Sequence, residues 1–88
     1  MKVLDTTPPT IEILVPADLA VYWVREIVLA DWTVSGAEGG SVDASAAVGA
    51  PIDTSTGGEH VFTVTAVDAS GNATSASVLY SVLYQLVV

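Results

Sequence analysis

Residues 60–74 read HVFTVTAVDASGNAT, and this stretch decides the fold class. Phe62, Val64 and Ala66 alternate with two threonines, which is the two-residue period of a β-strand with one face turned inward. Residues 68–72 then supply turn chemistry, because Asp and Asn bond nearby backbone and Gly accepts positive φ. The stretch therefore predicts a strand, a turn and the start of a second strand, as in a small β-sandwich.

Outward from this stretch, short apolar runs alternate with segments rich in Gly, Pro, Asn, Asp, Ser and Thr. About seven short strands with turn signals between them are typical of an all-β, immunoglobulin-like Greek-key sandwich. Short connections favour antiparallel pairing throughout. Strands or extended pieces are predicted at residues 11–15, 20–24, 28–34, 42–46, 50–53, 60–67 and 74–83.

The composition excludes several classes of function. With 51% hydrophobic residues and a mean hydropathy of +0.60, the chain is too apolar for a disordered protein. Its net charge is −8 and its only cations are Lys2 and Arg25, so nucleic-acid binding and attachment to anionic membranes are not expected. No run of 18 apolar residues exists, and the lack of cysteine excludes disulfides and thiolate metal sites.

The 88 residues predict one domain with a short leading segment. Residues 1–10 are expected to be a linker, since Pro8 and Pro9 favour extended backbone, and residues 11–88 the sandwich. The first five residues do not form a signal peptide, and the chain is expected to be part of a longer protein. The predicted inward side chains are Ile13, Val28, Ala30, Trp32, Val34, Phe62, Val64, Ala66, Val78 and Tyr80.

Several motifs, taken in order, resemble bacterial immunoglobulin-like modules, which are related to hyalin-repeat and fibronectin-type-III-like sandwiches. They are TPPTI at 7–11, VLADWTV at 28–34, APIDTSTGGEH at 50–60, FTVTAVDASGN at 62–72 and YSV at 80–82. The resemblance implies a non-catalytic structural spacer or adhesion module of a larger secreted or cell-surface protein. Its expected partners are neighbouring domains of the same polypeptide, with a protein or glycan ligand as a further partner.

The same resemblance bears on rigidity and on metal binding. Many such modules carry a cysteine pair, and the matching positions here are Val34 and Val42, which are expected to fill that space by packing. Related tandem modules also hold calcium at domain junctions through loop residues and an Asp before the Pro-Pro segment. This implies a calcium site at Asp5, Asp68 and Asn72.

The residue types at this candidate site allow two interpretations. Asp and Asn oxygens are the hard ligands that Ca²⁺ takes. The same residues are ordinary turn formers, with Asp68 accepting backbone amides and Gly71 adopting a left-handed conformation. The calcium-loop pattern D-x-[DN]-x-[DN]-G is absent, so the turn is the favoured interpretation.

Two aromatic positions and the single histidine are the other candidates. Trp32 lies in the inward register and is expected in the core. Of Tyr22 and Trp23, one is expected to point outward, where it could stack on a sugar. His60 would have to be central to any catalytic triad, but a hydrogen bond that stabilises a turn is the simpler role.

Two further features of the sequence concern catalysis and association with a partner. Glu26 and Asp31 could imitate the carboxylate pair of a glycosidase, but so small a domain has little room for the required cleft. The outward register is unusually apolar, and it would form an interface if its members clustered. Those members are Ile27, Leu29, Val61, Val67, Leu79 and Leu83, followed by the tail 84–88.

Overall fold

A computed structural model describes residues 7–84 and shows an all-β chain with two sheets. No helix occurs in that range, so none is available there to cross a membrane. The strands are β1 (Thr10–Val15), β2 (Ala20–Trp23), β3 (Asp31–Ser35), β4 (Ser41–Ala44), β5 (Gly58–Val67) and β6 (Ala73–Leu83).

The larger sheet is built on the hairpin that the opening stretch predicted. β5 and β6 pair antiparallel over ten positions, from Gly58 opposite Val82 to Val67 opposite Ala73. β2 and β4 flank them, which gives the order β2-β6-β5-β4, while β1 and β3 form the second sheet. The two-sheet arrangement is compatible with a β-sandwich.

The expectation of antiparallel pairing throughout is wrong at one place. β2 and β6 run parallel, with Ala20 opposite Tyr80 and Trp23 opposite Leu83. Short hairpin loops force antiparallel pairing only between consecutive strands. β2 and β6 are separated by most of the chain, so no loop sets their relative direction.

The expected strand count of about seven is also corrected, to six within residues 7–84. The predicted strand at 28–34 is shortened to β3, and the piece at 50–53 contributes one isolated bridge, Leu29 opposite Pro51. Backbone hydrogen bonds still join the two predicted pieces. The Ile52 N–H donates to the Val28 carbonyl at 2.8 Å, and the Ala30 N–H donates to the Ala50 carbonyl at 2.8 Å. Proline has no N–H to donate, so Pro51 limits this ladder.

The core lies between the sheets and agrees with the predicted inward set. Six of its ten members are buried, and Ile13, Trp32, Val34 and Val78 are half-buried against them. Ile52 and Val82 are additional buried members. The complete buried apolar set is Val28, Ala30, Ile52, Phe62, Val64, Ala66, Tyr80 and Val82.

Of the two valines expected to fill the space of a disulfide, only Val34 packs in the core. Val34 packs against the core from β3. Val42 lies on the edge strand β4 opposite Ala66 and remains 42% exposed. Because an edge strand has a neighbour on one side only, its side chains can stay open to solvent. The two valines therefore do not fill the space of a cross-link together.

The chain from Pro9 to Val24 runs alongside β6 for most of its length. The Thr74 hydroxyl donates to the Pro9 carbonyl at 2.8 Å, which fixes the start of this path at the beginning of β6. The chain then passes from the smaller sheet to the larger one, and the Leu19 N–H donates to the Leu79 carbonyl at 2.6 Å. At the end, the Val24 N–H donates to the Leu83 carbonyl at 2.9 Å. The chain thus enters near one end of β6 and leaves at the other.

Candidate functional site

A pocket of about 250 Å³ opens at the end of the sandwich where β5 begins. His60 and Tyr80 are direct cross-strand partners on the inward side of the sheet, and their rings stack with centroids 5.2 Å apart and planes 11° from parallel. Tyr22 approaches Tyr80 edge-on at 6.0 Å. Asp53, on the loop before β5, completes the titratable lining.

The polar groups of this pocket are used to hold the loop that precedes β5. The Tyr80 hydroxyl donates to the Asp53 carbonyl at 2.8 Å, and His60 Nε2 donates to the Thr56 carbonyl at 2.9 Å. The predicted turn-stabilising bond of His60 is therefore present. With Nε2 engaged by a carbonyl, the imidazole serves as a structural donor toward the loop.

The pKa values of two pocket groups are shifted by their surroundings. Asp53 Oδ1 accepts the Ser55 hydroxyl at 2.6 Å and the Ser55 N–H at 3.0 Å, which lowers the pKa of Asp53. Burial raises the pKa of Tyr80, with the nearby Asp53 charge as a smaller cause. Both groups keep their ordinary ionisation at neutral pH, so neither is tuned to exchange protons there.

The sequence predicts Tyr80 in the core but does not connect it with Asp53. The signal for Asp53 is the Asp-x-Ser spacing, in which a carboxylate accepts the amide two residues later in a turn. Nearby, Thr54 is buried and its hydroxyl donates to the Glu26 carbonyl at 2.8 Å. No local pattern announces these bonds, because the loop meets its partners only after the sheets have formed.

The candidate calcium loop is a closed turn. Asp68 is only 5% exposed, and its Oδ1 accepts the N–H groups of Ser70 and Asn72, each at 2.9 Å. Its Oδ2 accepts the Asn72 side-chain amide at 3.0 Å. Gly71 adopts a φ of +89°, the left-handed conformation expected of it. These bonds, with that of Asn72 Nδ2 first among them, lower the pKa of Asp68.

A calcium ion does not fit this arrangement as it stands. Calcium requires oxygen ligands, whereas three N–H groups point at the Asp68 carboxylate. Residues 7–84 contain no group of three or more His, Cys, Asp or Glu side chains able to hold a metal. Asp5, the third predicted ligand, lies outside the described residues.

The core position predicted for Trp32 is confirmed, and one of Tyr22 and Trp23 points outward as expected. Trp32 packs against the core, and its indole N–H donates to the Ala46 carbonyl at 2.9 Å. Tyr22 is half-buried against the core, whereas Trp23 points outward and is 49% exposed.

The carboxylate of Glu26 accepts the Trp23 backbone N–H at 3.0 Å. Asp31, which the sequence analysis considered with Glu26 as a carboxylate pair, begins β3 opposite Val15.

The outer face is the side of the β2-β6-β5-β4 sheet that points away from the core, and it has two halves. Around the middle of β5 it carries hydroxyl pairs, Thr63 with Ser77 at 3.0 Å and Thr65 with Ser75 at 2.8 Å. Toward the end of β6 it is mostly apolar, although Glu59 and Ser81 also lie there. The strand register places on this apolar half Val21, Trp23, Val61, Leu79 and Leu83.

The predicted cluster of outward apolar residues therefore forms in part. Val61, Leu79 and Leu83 share the apolar half, although Leu79 is half-buried. Ile27 and Leu29 are exposed on the connection before β3, and Val67 lies at the far end of β5. The tail beyond residue 84 lies outside the described residues.

Comparison with protein-family models, with curated proteins and with solved structures gave no match.

Proposed function

We propose that this chain is a non-catalytic structural spacer or adhesion module, with an immunoglobulin-like sandwich fold, of a larger bacterial secreted or cell-surface protein. One observation carries the proposal: the chain enters and leaves the sandwich at opposite ends of β6. A domain with this path extends a polypeptide and keeps the domains on either side apart.

The distance between the two ends of the domain follows from the length of β6. Pro9, where the chain enters, is bonded to Thr74 at the beginning of β6, and Leu83, where the chain leaves, is bonded to Val24. At roughly 3.3 Å per residue in a strand, the nine steps from Thr74 to Leu83 span about 30 Å. The strands along this path pack in the core of the sandwich, so the distance between the two ends of the domain is expected to stay constant.

The strand arrangement supports the immunoglobulin-like part of the proposal. The first part of the chain pairs with β3 in one sheet and then with β6 in the other. A chain that contributes to both sheets ties them together at their edges. Short strands and two facing sheets of two and four strands are the ordinary components of such sandwiches.

The pocket supports a non-catalytic role. An acid–base site needs a titratable group that is free to contact substrate and has a pKa suited to proton transfer. Here His60 donates to Thr56, Tyr80 donates to the Asp53 backbone, and the Asp53 carboxylate accepts from Ser55. Each group already stabilises the loop, so ligand contact would require breaking the structure that positions it.

A carbohydrate ligand is the second candidate, favoured by the exposed indole of Trp23 beside Leu83 on the outer face. Aromatic rings bind the apolar face of a sugar ring, and the hydroxyl pairs of the same sheet could bind its polar edge. Glycan binding should then quench tryptophan fluorescence in the natural chain, and the quenching should vanish in Trp23→Ala. Quenching that survives this substitution would place the sugar elsewhere.

The spacer is tested by the distance between its ends. The chain has no cysteine, so Thr7→Cys and Tyr84→Cys introduce two unique positions for spin labels. A narrow distribution centred at about 30 Å or more is expected from the strand rise. A short distance, or a distribution as broad as that of an unfolded chain, would refute the in-line arrangement.

A further inference from the structure

We infer that the free edge of β4 is a docking site for an extended peptide strand of a partner protein, in which a Lys or Arg lies between two apolar residues. The strand adds to the larger sheet beside β4, with its basic side chain next to Asp43 and its apolar side chains next to Val42 and Ala44. The inference rests on the adhesion part of the proposed function, because it names the chemistry of a protein that such a module would hold.

β4 has an unused backbone edge. It lies at the end of the order β2-β6-β5-β4, with β5 on one side and no strand of the described chain on the other. Just after β4, the Ser45 N–H donates to the Thr63 carbonyl of β5 at 2.9 Å. Successive strand residues point their backbone groups to opposite sides, so those of Asp43 face β5 and those of Val42 and Ala44 face away. A strand laid along this edge can therefore bond Val42 and Ala44 without breaking a bond of the sheet.

The inner side of this edge is an apolar surface that the sandwich leaves partly uncovered. Val42 lies opposite Ala66, which is completely buried, yet Val42 itself is 42% exposed. Side chains directly opposite each other on paired strands point to the same side of the sheet. A partner residue opposite Val42 or Ala44 would therefore cover this surface, and the burial favours an apolar residue at both positions.

The outer side of the same edge is polar and acidic. Asp43 is exposed there, on the strand position opposite Thr65. A groove of about 240 Å³ runs beside it, lined by Asp43, Ala44, Ser45, Thr63 and Thr65. Carboxylate and hydroxyl oxygens accept hydrogen bonds from an ammonium or a guanidinium group. The groove therefore favours Lys or Arg at the partner position opposite Asp43.

The positive charge must come from the partner. Residues 7–84 contain a single Lys or Arg, Arg25, and it follows β2 at the opposite edge of the sheet. Glu38, on the connection that leads into β4, is exposed and adds a second negative charge to this part of the chain. Opposite charges directly across two strands are favourable, whereas like charges are unfavourable.

The same carboxylate disfavours a second copy of this chain as the occupant. When two β4 strands pair antiparallel so that Val42 of each bonds Ala44 of the other, the two Asp43 side chains lie directly opposite each other. They then form a non-hydrogen-bonded pair, in which side chains are closest, and like charges there are destabilising. The net charge of −8 adds repulsion between the two chains.

The site is tested by titrating the full 88-residue chain with two synthetic peptides while its amide resonances are followed. One peptide has the core Thr-Val-Lys-Val-Thr, and the matched control has the core Thr-Val-Glu-Val-Thr. We expect the lysine peptide to bind, with its largest shifts at residues 41–45, and the glutamate peptide to bind several-fold more weakly. Equal binding of the two peptides, or shifts centred elsewhere, would overturn the site. Shifts at residues 41–45 that grow with chain concentration in the absence of peptide would make a second copy the occupant, and would also overturn it.

Charge reversal tests the role of Asp43. Asp43→Lys should exchange the preference, so that the glutamate peptide binds more tightly than the lysine peptide. Glu59→Lys is the matched control, because it reverses a charge on the same outer face near the start of β5. It should keep the preference for the lysine peptide. An unchanged preference in Asp43→Lys, or an exchanged preference in both variants, would contradict the pairing with Asp43.

Proline substitutions test the backbone contacts. Ala44→Pro removes an N–H that faces away from β5, so the melting temperature should stay close to that of the natural chain while binding of the lysine peptide is lost. Asp43→Pro removes an N–H that faces β5 and should lower the melting temperature. Unchanged binding to a folded Ala44→Pro chain would contradict the docking edge. If Ala44→Pro fails to fold, the charge reversal still decides the question.

The two proposals can fail separately. A spin-label distance of about 30 Å or more, together with no binding of the lysine peptide, would leave the spacer standing and reject the docking edge. A short distance, together with binding at residues 41–45, would reject the in-line spacer and leave the adhesion role with its docking edge.

Discussion

Asp68 shows how a single carboxylate can hold a turn in this domain. It accepts three N–H groups from the residues that follow it, and its own N–H donates to the Asn72 carbonyl at 2.9 Å. The turn joins the two longest strands, so its geometry fixes the register of the hairpin on which the larger sheet is built. The charge of this group is thereby linked to the stability of the whole fold.

Asp68→Asn should make stability less dependent on acid pH. The pKa of Asp68 in the folded chain is below its ordinary value of 3.8, so the carboxylate stabilises the fold above that pH. The contribution is lost as the pH falls through the lowered pKa. The difference in melting temperature between the natural chain and Asp68→Asn should be full near neutral pH and should shrink in strong acid.

Asp43→Asn is the matched control for this measurement. It removes the same charge from an exposed position on β4. Its melting temperature should follow that of the natural chain more closely across the same pH range. A difference for Asp68→Asn that stays constant down to strong acid would contradict the role given to the carboxylate.

Two glycines differ in what an added side chain would meet. A Cβ at Gly40 would overlap the Val67 backbone carbonyl, whereas a Cβ at Gly57 would meet the ring of Tyr84, which is 71% exposed and can turn away. Gly40→Ala is expected to cost about 2 kcal/mol or more, in the range of overpacked sites, and Gly57→Ala about 1 kcal/mol or less. Urea unfolding of both variants measures the costs, and equal costs would contradict the close approach at Gly40.

The elements of this domain differ in how far local sequence determines them. β5 and β6 could be predicted because apolar alternation and turn residues lie within one short stretch of chain. The bonding of His60 to the preceding turn was predictable for the same reason. The parallel partner of β2 and the bonds between residues 28–30 and 49–52 were not, since they join segments that become neighbours only in the folded chain.

The candidate pocket follows the same rule. His60 could be singled out as the only histidine, but its stacking on Tyr80 depends on the register between β5 and β6. The contact of Tyr80 with Asp53 depends on how a loop folds back over the end of the sheet. The sequence therefore singled out His60 and placed Tyr80 inward, but it did not predict the contacts that join them to each other and to Asp53.

The two tryptophans test the assignment of inside and outside. Trp32→Ala removes a ring that packs on the core and donates to Ala46, so a loss of about 3 kcal/mol is expected, at the low end for such substitutions because the ring is half-buried. Trp23→Ala removes an outward ring, and a loss of about 0.5 kcal/mol is expected. Chemical denaturation of both variants provides the comparison. Equal losses would mean that the register of β2 or β3 is wrong.

At the scale of the whole molecule, charge and topology act in different ways. The net charge of −8 disfavours association with other acidic surfaces. It therefore also opposes self-association of the chain through the apolar half of the outer face. The topology supplies the separation between the ends. The spacer depends on the topology and would persist if the surface charge were reduced.

Calcium should leave the stability of the chain nearly unchanged. The Asp68 carboxylate is bonded to N–H groups, so a metal would have to displace them before it could bind. Melting temperatures measured across a calcium titration, with magnesium at equal concentration as the control, should show no saturable and calcium-specific rise. A saturable rise that disappears in Asp68→Asn would establish the calcium site instead.

The central claim is that the first part of the chain runs parallel to β6, since the spacer depends on it. Nuclear magnetic resonance can detect scalar couplings across individual hydrogen bonds, from the donor nitrogen to the acceptor carbonyl carbon. The account predicts couplings from the Leu19 amide to the Leu79 carbonyl and from the Val24 amide to the Leu83 carbonyl. Couplings of the reversed, antiparallel order between these segments, or none at all while those of the β5-β6 hairpin are observed, would contradict it.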